Sequence, residues 1–171
     1  MFPTLSMISL ISLILKSMLW NSVWWNQAVI TQPFIRLFVA HYQLLFANFD
    51  AKQVAGFSDE RLEEILLDPG IVRNRLKVFG VRTNALAFLK VVEEFGSFDA
   101  YIWGFVGGKQ IQNHVASMRD VPAKTSVSDA MSKDLKRRGF KFIGSTICYA
   151  FMQAVGMVDD HMVDCSFRAA D

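Results

Sequence analysis

The first 49 residues contain no aspartate, glutamate, cysteine or glycine, and their only formal charges are Lys16 and Arg36. The 16 acidic residues all lie from Asp50 onward. At that downstream frequency an acid-free run of this length arises by chance roughly once in a thousand, so the composition changes character near Asp50. Cysteine is scarce throughout, with Cys148 and Cys165 alone in 171 residues. Two thiols, one of them inside an apolar run, give no disulfide framework and suit a reducing compartment. Long hydrophobic runs are also lacking. The stretch from Leu5 to Leu15 is broken by serines and closes at Lys16, short of the ~20 apolar residues of a spanning helix. No basic region precedes it and no small-residue cleavage site is evident, so neither an anchor nor a signal peptide is expected. A net charge of +2 does not by itself call for a polyanionic partner.

With 52% apolar and 20% charged residues, the chain can bury the core of one globular domain. It divides into two stretches of different texture. Met1 to about residue 45 mixes Ser, Ile, Leu and Trp without a sustained period of 3.6 or 2, and is expected to be poorly structured. The remainder of the chain is regular and helical in pattern. Ser58 caps a helix with Asp59 and Glu60 in its first turn and Leu62, Ile65 and Leu66 on one face, stopped at Asp68-Pro69-Gly70. Val78, Val81, Ala85, Phe88, Leu89 and Val92 recur at helical spacing up to Gly96. Ser97 starts a short aromatic helix through Tyr101, Trp103 and Phe105. TSVSDAMSKDLKRRG offers a hydroxyl cap, apolar Val127, Ala130, Met131 and Leu135, basic residues in the last turn and Gly139 as the stop. Strand alternation is absent except around Gln110 to Val115. The fold class expected is all-α.

The chemistry concentrates in LKRRGFKFIGSTICYAFMQAVG, Leu135 to Gly156. A helix ends at Gly139, the turn GFKFIG comes next, and Ser145-Thr146 open a new helix with Ile147, Ala150, Phe151 and Ala154 on its buried face. A helix-hairpin-helix of this outline, closing at Gly144 and Ser145, aims backbone N–H groups and a helix dipole at one point, which suits a phosphate. Lys133, Lys136, Arg137, Arg138 and Lys141 surround it. By charge alone they make an ordinary solvated helix face, and the glycine-bounded turn shifts the reading towards a nucleic-acid backbone. DPGIVRNRLK adds Arg73, Arg75 and Lys77 beside a second turn, which reads equally well as a plain helix start.

VDDHMVDC places His161 and Cys165 four positions apart, half of a zinc site or a pair that binds no metal. Cys148 reads as a small core residue, His114 as a surface or packing residue, and Asp159 and Asp160 as solvated acids. His41 carries no supported role.

From about Phe46 to Cys165 the chain resembles the DNA-3-methyladenine glycosylase I family, through FANFD, PGIVRNRLK, TSVSDAMSKDLKRRGFKFIGSTICYAFMQAVGMVDDH and HMVDC. The resemblance implies a mainly helical, monofunctional enzyme of the helix-hairpin-helix class. Such an enzyme hydrolyses the N-glycosidic bond of 3-methyladenine in double-stranded DNA after extruding the base. A cationic base is already a good leaving group and gains from aromatic contact, so the family uses an aromatic and carboxylate pocket instead of a lysine nucleophile. The implied DNA-binding set is Arg73, Arg75, Lys133, Arg137, Lys141, Gly144 and Ser145. The implied cofactor is a structural zinc held by an N-terminal Cys and His and by His161 and Cys165. The implied partner is alkylated duplex DNA, for a monomer without protein or membrane partners in a bacterial cytoplasm, nucleoid-associated through DNA.

The N-terminal stretch departs from that family. Its ligand cysteine, its Tyr-His-Asp and Trp-Gly, and the glutamate and Gly-Leu-Ser-Trp of its base pocket are not found before Asp50, and no pocket role passes to Trp20, Trp24 or Trp25. A coding sequence read in a shifted frame up to about Tyr42 to Phe46 accounts for this, as does true divergence. The expected division is an atypical segment 1–45, a glycosylase-like domain 46–165 and a tail 166–171. Two functions remain open: an impaired 3-methyladenine glycosylase, or a catalytically silent DNA-binding remnant or unstable product.

Overall fold

The computed structural model describes residues 39–166 and residue 168. The expectations for the N-terminal segment fall almost wholly outside these residues. Helical residues 39–45 lead into a 3-10 turn, Ala47–Phe49, and then α1 (Ala51–Ala55), α2 (Asp59–Leu67), α3 (Arg75–Phe95) and α4 (Phe98–Trp103). A second 3-10 turn, Gly104–Val106, precedes β1 (Ile111–Gln112), α5 (Ser126–Arg137), α6 (Ser145–Ala154) and β2 (Val158–Asp159). The described residues are mainly helical, as the periodicity predicts.

The helix ends obey the capping chemistry of the sequence. Ser58 accepts from the Arg61 N–H, Ser97 from Ala100 and Asn74 from Lys77, each satisfying an amide that the first turn leaves unpaired. Thr125 and Ser128 cap α5 reciprocally. Gly139 closes α5 at φ +97°, a left-handed position that glycine takes without a Cβ clash. The FANFD turn is less ordinary, since Ala47, Asn48 and Phe49 all take positive φ. The buried rings of Phe46 and Phe49 on either side of it hold that turn in place.

Helix α3 is the spine. Its 21 residues span about 30 Å, and its two halves serve two apolar clusters. Val78, Val81 and Ala85 pack with Tyr42, Phe46, Phe49, Val54, Leu62, Ile65 and Ile71. Ala87 and Val91 pack with Phe98, Ile102, Met131, Leu135, Tyr149 and Met152, while Phe88 touches both groups. Tyr42 is 3% exposed, so the packed body reaches upstream of Phe46.

Two buried faces are rotated from expectation. In α6 the buried residues are Cys148, Tyr149, Phe151 and Met152, whereas Ala150 and Ala154 are exposed and Ile147 is half-buried. Tyr149 and Met152 take core positions in place of Ala150 and Ala154 and bury more apolar area, and Tyr149 is tolerated there because its hydroxyl donates to Asp160 at 2.7 Å. In α5 Ser128 and Ser132 join Met131 and Leu135 inside, and Ala130 is exposed. The strand signal near Gln110 to Val115 corresponds to a short parallel pairing, Ile111 with Val158 and Gln112 with Asp159, extended by a bridge from Val115 to Met162. That pairing fixes the segment carrying His161 against the helical body.

Candidate nucleic-acid interface

The hairpin between α5 and α6 is anchored from within. Phe140 and Ile143 are 3% and 6% exposed, and between them Lys141 stands in solvent. The turn ends on Gly144, which brings no side chain to cap α6. The Ser145 hydroxyl is turned to the buried Ser128 hydroxyl at 2.8 Å and also makes no cap. The first amides of α6 are therefore left to solvent or to an anion, with the positive end of the helix behind them.

The cations of the α5 run separate into two kinds. Lys133, Lys136, Arg137 and Lys141 are exposed. Arg137 pairs with Asp134 but keeps a side chain 74% exposed. Arg138 is a packing residue. Its guanidinium bonds Glu94 at 2.6 Å and Asp134 at 2.7 Å, and lies 4.8 Å from the Phe95 ring centroid and 5.0 Å from that of Tyr101. Asp134 also accepts from the Tyr101 hydroxyl at 2.8 Å. Burial first, and this carboxylate second, push the Tyr101 phenol well above its ordinary range.

The turn 68–74 presents the other cations. Asp68 accepts from the Gly70 N–H at 2.7 Å and bonds His41 Nε2 at 2.8 Å, which gives His41 a structural part. The Val72 N–H donates to the Tyr42 hydroxyl. Arg73 is exposed, its Nε 3.4 Å from the Asp68 carbonyl. Arg75 pairs with Glu63 and stacks 4.3 Å from the Phe79 centroid. The helix start that this segment suggests is real, for α3 begins at Arg75 and has no acid in its first turn.

The C-terminal segment corrects one expectation. Asp159 and Asp160 are not simply solvated. Asp159 is 6% exposed and holds the His161 Nδ1 at 2.7 Å, because β2 turns it inward. Asp160 accepts from Tyr149, Gln153 and Asn113, each at 2.7 Å. His114 is exposed, 3.0 Å from Arg168. Cys148 is buried, and loss of water pushes its thiol up to about 12, as suits an inert core residue. No local pattern marks Asn84, whose partner is Lys141, 57 positions downstream; Asp134 and Asp159 take nearby partners, Arg137 and Arg138 for the first and His161 for the second.

A carboxylate on Nδ1 is the arrangement that leaves a histidine's Nε2 for a metal, which suits His161 as one ligand of a zinc shell. Among the described residues no group of three or more His, Cys, Asp or Glu side chains is placed to hold an ion. Residues 1–40 contain none of these four types. The described residues do not fit a four-ligand zinc.

The described residues thus form a mainly helical body built on one long helix, with a cationic hairpin on its surface. The model of the methyladenine glycosylase family matches residues 27–169, and the chain belongs to that family. The match begins upstream of Phe46. The DNA-3-methyladenine glycosylase of Haemophilus influenzae is 44% identical over 129 residues, 75% of this chain and 70% of that protein. DNA-3-methyladenine glycosylase 1 of Escherichia coli K12 is 42% identical over 125 residues, 73% and 67% of the two chains. A crystal structure of 3-methyladenine DNA glycosylase I superposes with a TM-score of 0.77 at 35% identity, over 95% of this chain and 84% of the other.

Proposed function

We propose that this protein is a DNA-repair glycosylase of the 3-methyladenine class whose DNA-holding half is intact and whose excision is impaired. The observation that carries the reading is the hairpin: exposed Lys133, Arg137 and Lys141 stand around an α6 start that no side chain caps, within a chain that belongs to the methyladenine glycosylase family. Arg73 and the start of α3 contribute a second cationic turn. Such a surface holds the phosphates of duplex DNA in helix-hairpin-helix fashion while the damaged base is extruded. Water then cleaves the N-glycosidic bond, and the cationic base leaves as the neutral purine.

Impairment follows from the lack of a carboxylate in the first 49 residues, where the family's pocket acid belongs. A missing acid–base group costs about 10²–10⁴-fold in rate. Structural zinc is part of the family reading, and this chain supplies His161 and Cys165 towards it. Elemental analysis of purified protein is expected to find far less than one zinc per chain. The protein is further proposed to act as a monomer in a bacterial cytoplasm. Among the described residues no helix is long and apolar enough to cross a membrane.

Release of free 3-methyladenine from methylated duplex DNA tests the proposal, beside the Escherichia coli relative. Salt-sensitive DNA binding with excision slower by about 10²-fold or more supports it. Excision at the relative's rate refutes the impairment, and an absence of both binding and release refutes the glycosylase reading.

A further inference from the structure

Asn84 sits in the middle of α3 at 3% exposure, between the core positions Val81 and Ala85. A buried amide is retained where its donor and acceptor are both satisfied. One distant residue does both. The Lys141 N–H donates to Asn84 Oδ1 at 2.7 Å, and Asn84 Nδ2 donates to the Lys141 carbonyl at 3.2 Å. The pair reproduces the double exchange of two antiparallel strands, with a side-chain amide in place of one of them. It fixes both peptide groups of Lys141, the cation at the hairpin tip.

The next residue shows why such a clamp is needed. Phe142 takes φ +60°, the left-handed region that a bulky L-residue enters only when its surroundings impose it. Its ring is 39% exposed and its Cε2 would lie 2.7 Å from a Cβ at Gly80. Gly80 stands one helical turn before Asn84, on the same face of α3. The spine helix thus offers two adjoining features to the tip, a polar clamp for Lys141 and a gap for the Phe142 ring.

We propose that Asn84 is a positioning residue of the DNA interface: with the space at Gly80, its amide holds the hairpin tip so that Lys141 and the first amides of α6 address phosphate together. The inference rests on the hairpin being the DNA contact. Asn84 itself is buried and is not expected to touch DNA. Its effect reaches the phosphate through the backbone of Lys141.

The test compares wild type, Asn84→Ala and Ile65→Val, the last a core change in the cluster that does not hold the hairpin's Phe140 and Ile143, as a control for general destabilisation. All are measured at a temperature where each is folded. Hydrogen exchange of the Lys141 amide is read by NMR, and affinity for an undamaged duplex is read by anisotropy between about 50 and 200 mM salt. Asn84→Ala is expected to speed Lys141 exchange at least about tenfold and weaken binding about tenfold. The slope of log affinity against log salt should fall by about 0.9 for a lost phosphate contact, and Ile65→Val should leave that slope unchanged.

Unchanged Lys141 exchange in Asn84→Ala overturns the clamp. Faster exchange with wild-type affinity and slope overturns the positioning role. A wild-type chain without salt-sensitive binding overturns the DNA reading and the positioning role together, and is recognised before any variant is made. If Asn84→Ala does not fold, Gly80→Ala carries the same test by displacing Phe142, and wild-type affinity and slope in that variant overturn the proposal.

Discussion

Arg137 and Arg138 are neighbours in the chain, and removing them is expected to fail in different assays. The Arg138 side chain is 19% exposed and lies over two aromatic rings. Each ring contact is worth about 0.5–1 kcal/mol, and the part-buried pair with Asp134 adds about 1 kcal/mol. The Glu94 arm is exposed and screened by solvent. Arg138→Ala should therefore cost about 2–3 kcal/mol, near the lower end because Tyr101 and Arg137 still bond Asp134. In a domain of this size that lowers Tm by about 6–12 °C. Arg137, 74% exposed, should change stability by less than about 0.5 kcal/mol when replaced by Ala. It should instead reduce the salt slope of DNA binding by about 0.9, as should neutralising Lys133 or Lys141. Thermal melts and anisotropy titrations on the same preparations read both quantities. An Arg138→Ala protein melting within about 2 °C of wild type would refute the packing argument. Unchanged slopes for Lys133, Arg137 and Lys141 would return the cluster to a solvated helix face.

Three further outcomes are expected. Burial acts to raise the Asp134 carboxyl, but hydrogen bonds from Arg138, Tyr101 and Arg137 outweigh it and hold the group below its ordinary 3.8. A depressed folded value contributes stability above the unfolded value that is lost as pH falls through the folded one. Asp134→Asn should therefore flatten the acid limb of Tm against pH below the ordinary carboxylate value, and parallel limbs for the two proteins would count against this. Thiol titration of the native protein should find Cys165 reactive and Cys148 slow, the latter because burial raises its thiol to about 12; two equally fast thiols would show that α6 is not packed as described. Gly70→Ala places a Cβ 2.6 Å from ring atoms of His41 and should cost about 1–3 kcal/mol. The loss should shrink in a His41→Ala background, and an equal loss in both backgrounds would exclude the clash.

Legibility in the sequence tracks the range of the interaction. Ser58, Ser97, Thr125 and Gly139 mark helix ends because a cap acts over three residues, and each appears where its local pattern puts it. The separate roles within KRR are not legible, since Arg138 is taken out of the interface by Glu94, 44 positions away. Asn84 reads as one polar residue in a helical run because its partner lies 57 positions downstream. The same holds for the α6 face: Tyr149 enters the core only because Asp160 and Asn113 arrive to meet its hydroxyl. Spacing identifies the helix but not which side of it the tertiary fold uses. His161 and Cys165 are marked as candidate ligands by the family resemblance alone, and the structure adds the buried Asp159 behind the imidazole.

The first turn of α3 supplies independent grounds for what the surface is for. A helix start favours acids, and a cation there is unfavourable by about 0.3–1 kcal/mol. Helices α2, α4 and α5 obey the rule with Asp59 and Glu60, with Asp99, and with Asp129, and α1 meets it with Asp50 at its cap. Helix α3 breaks it, carrying Arg75 and Lys77 with no acid, and Glu63 on α2 offsets only the first of these. Helix α6 has no acid and no side-chain cap at its own start. Both exceptions therefore collect positive potential at helix N-termini, where folding alone would have placed negative charge. Asn84 and Gly80 join the second of them to α3, so the two anion-favouring starts are built on a single rigid element. A merely solvated basic face gives no reason for that arrangement, whereas a phosphate backbone, as proposed, would supply the missing negative charge at both places.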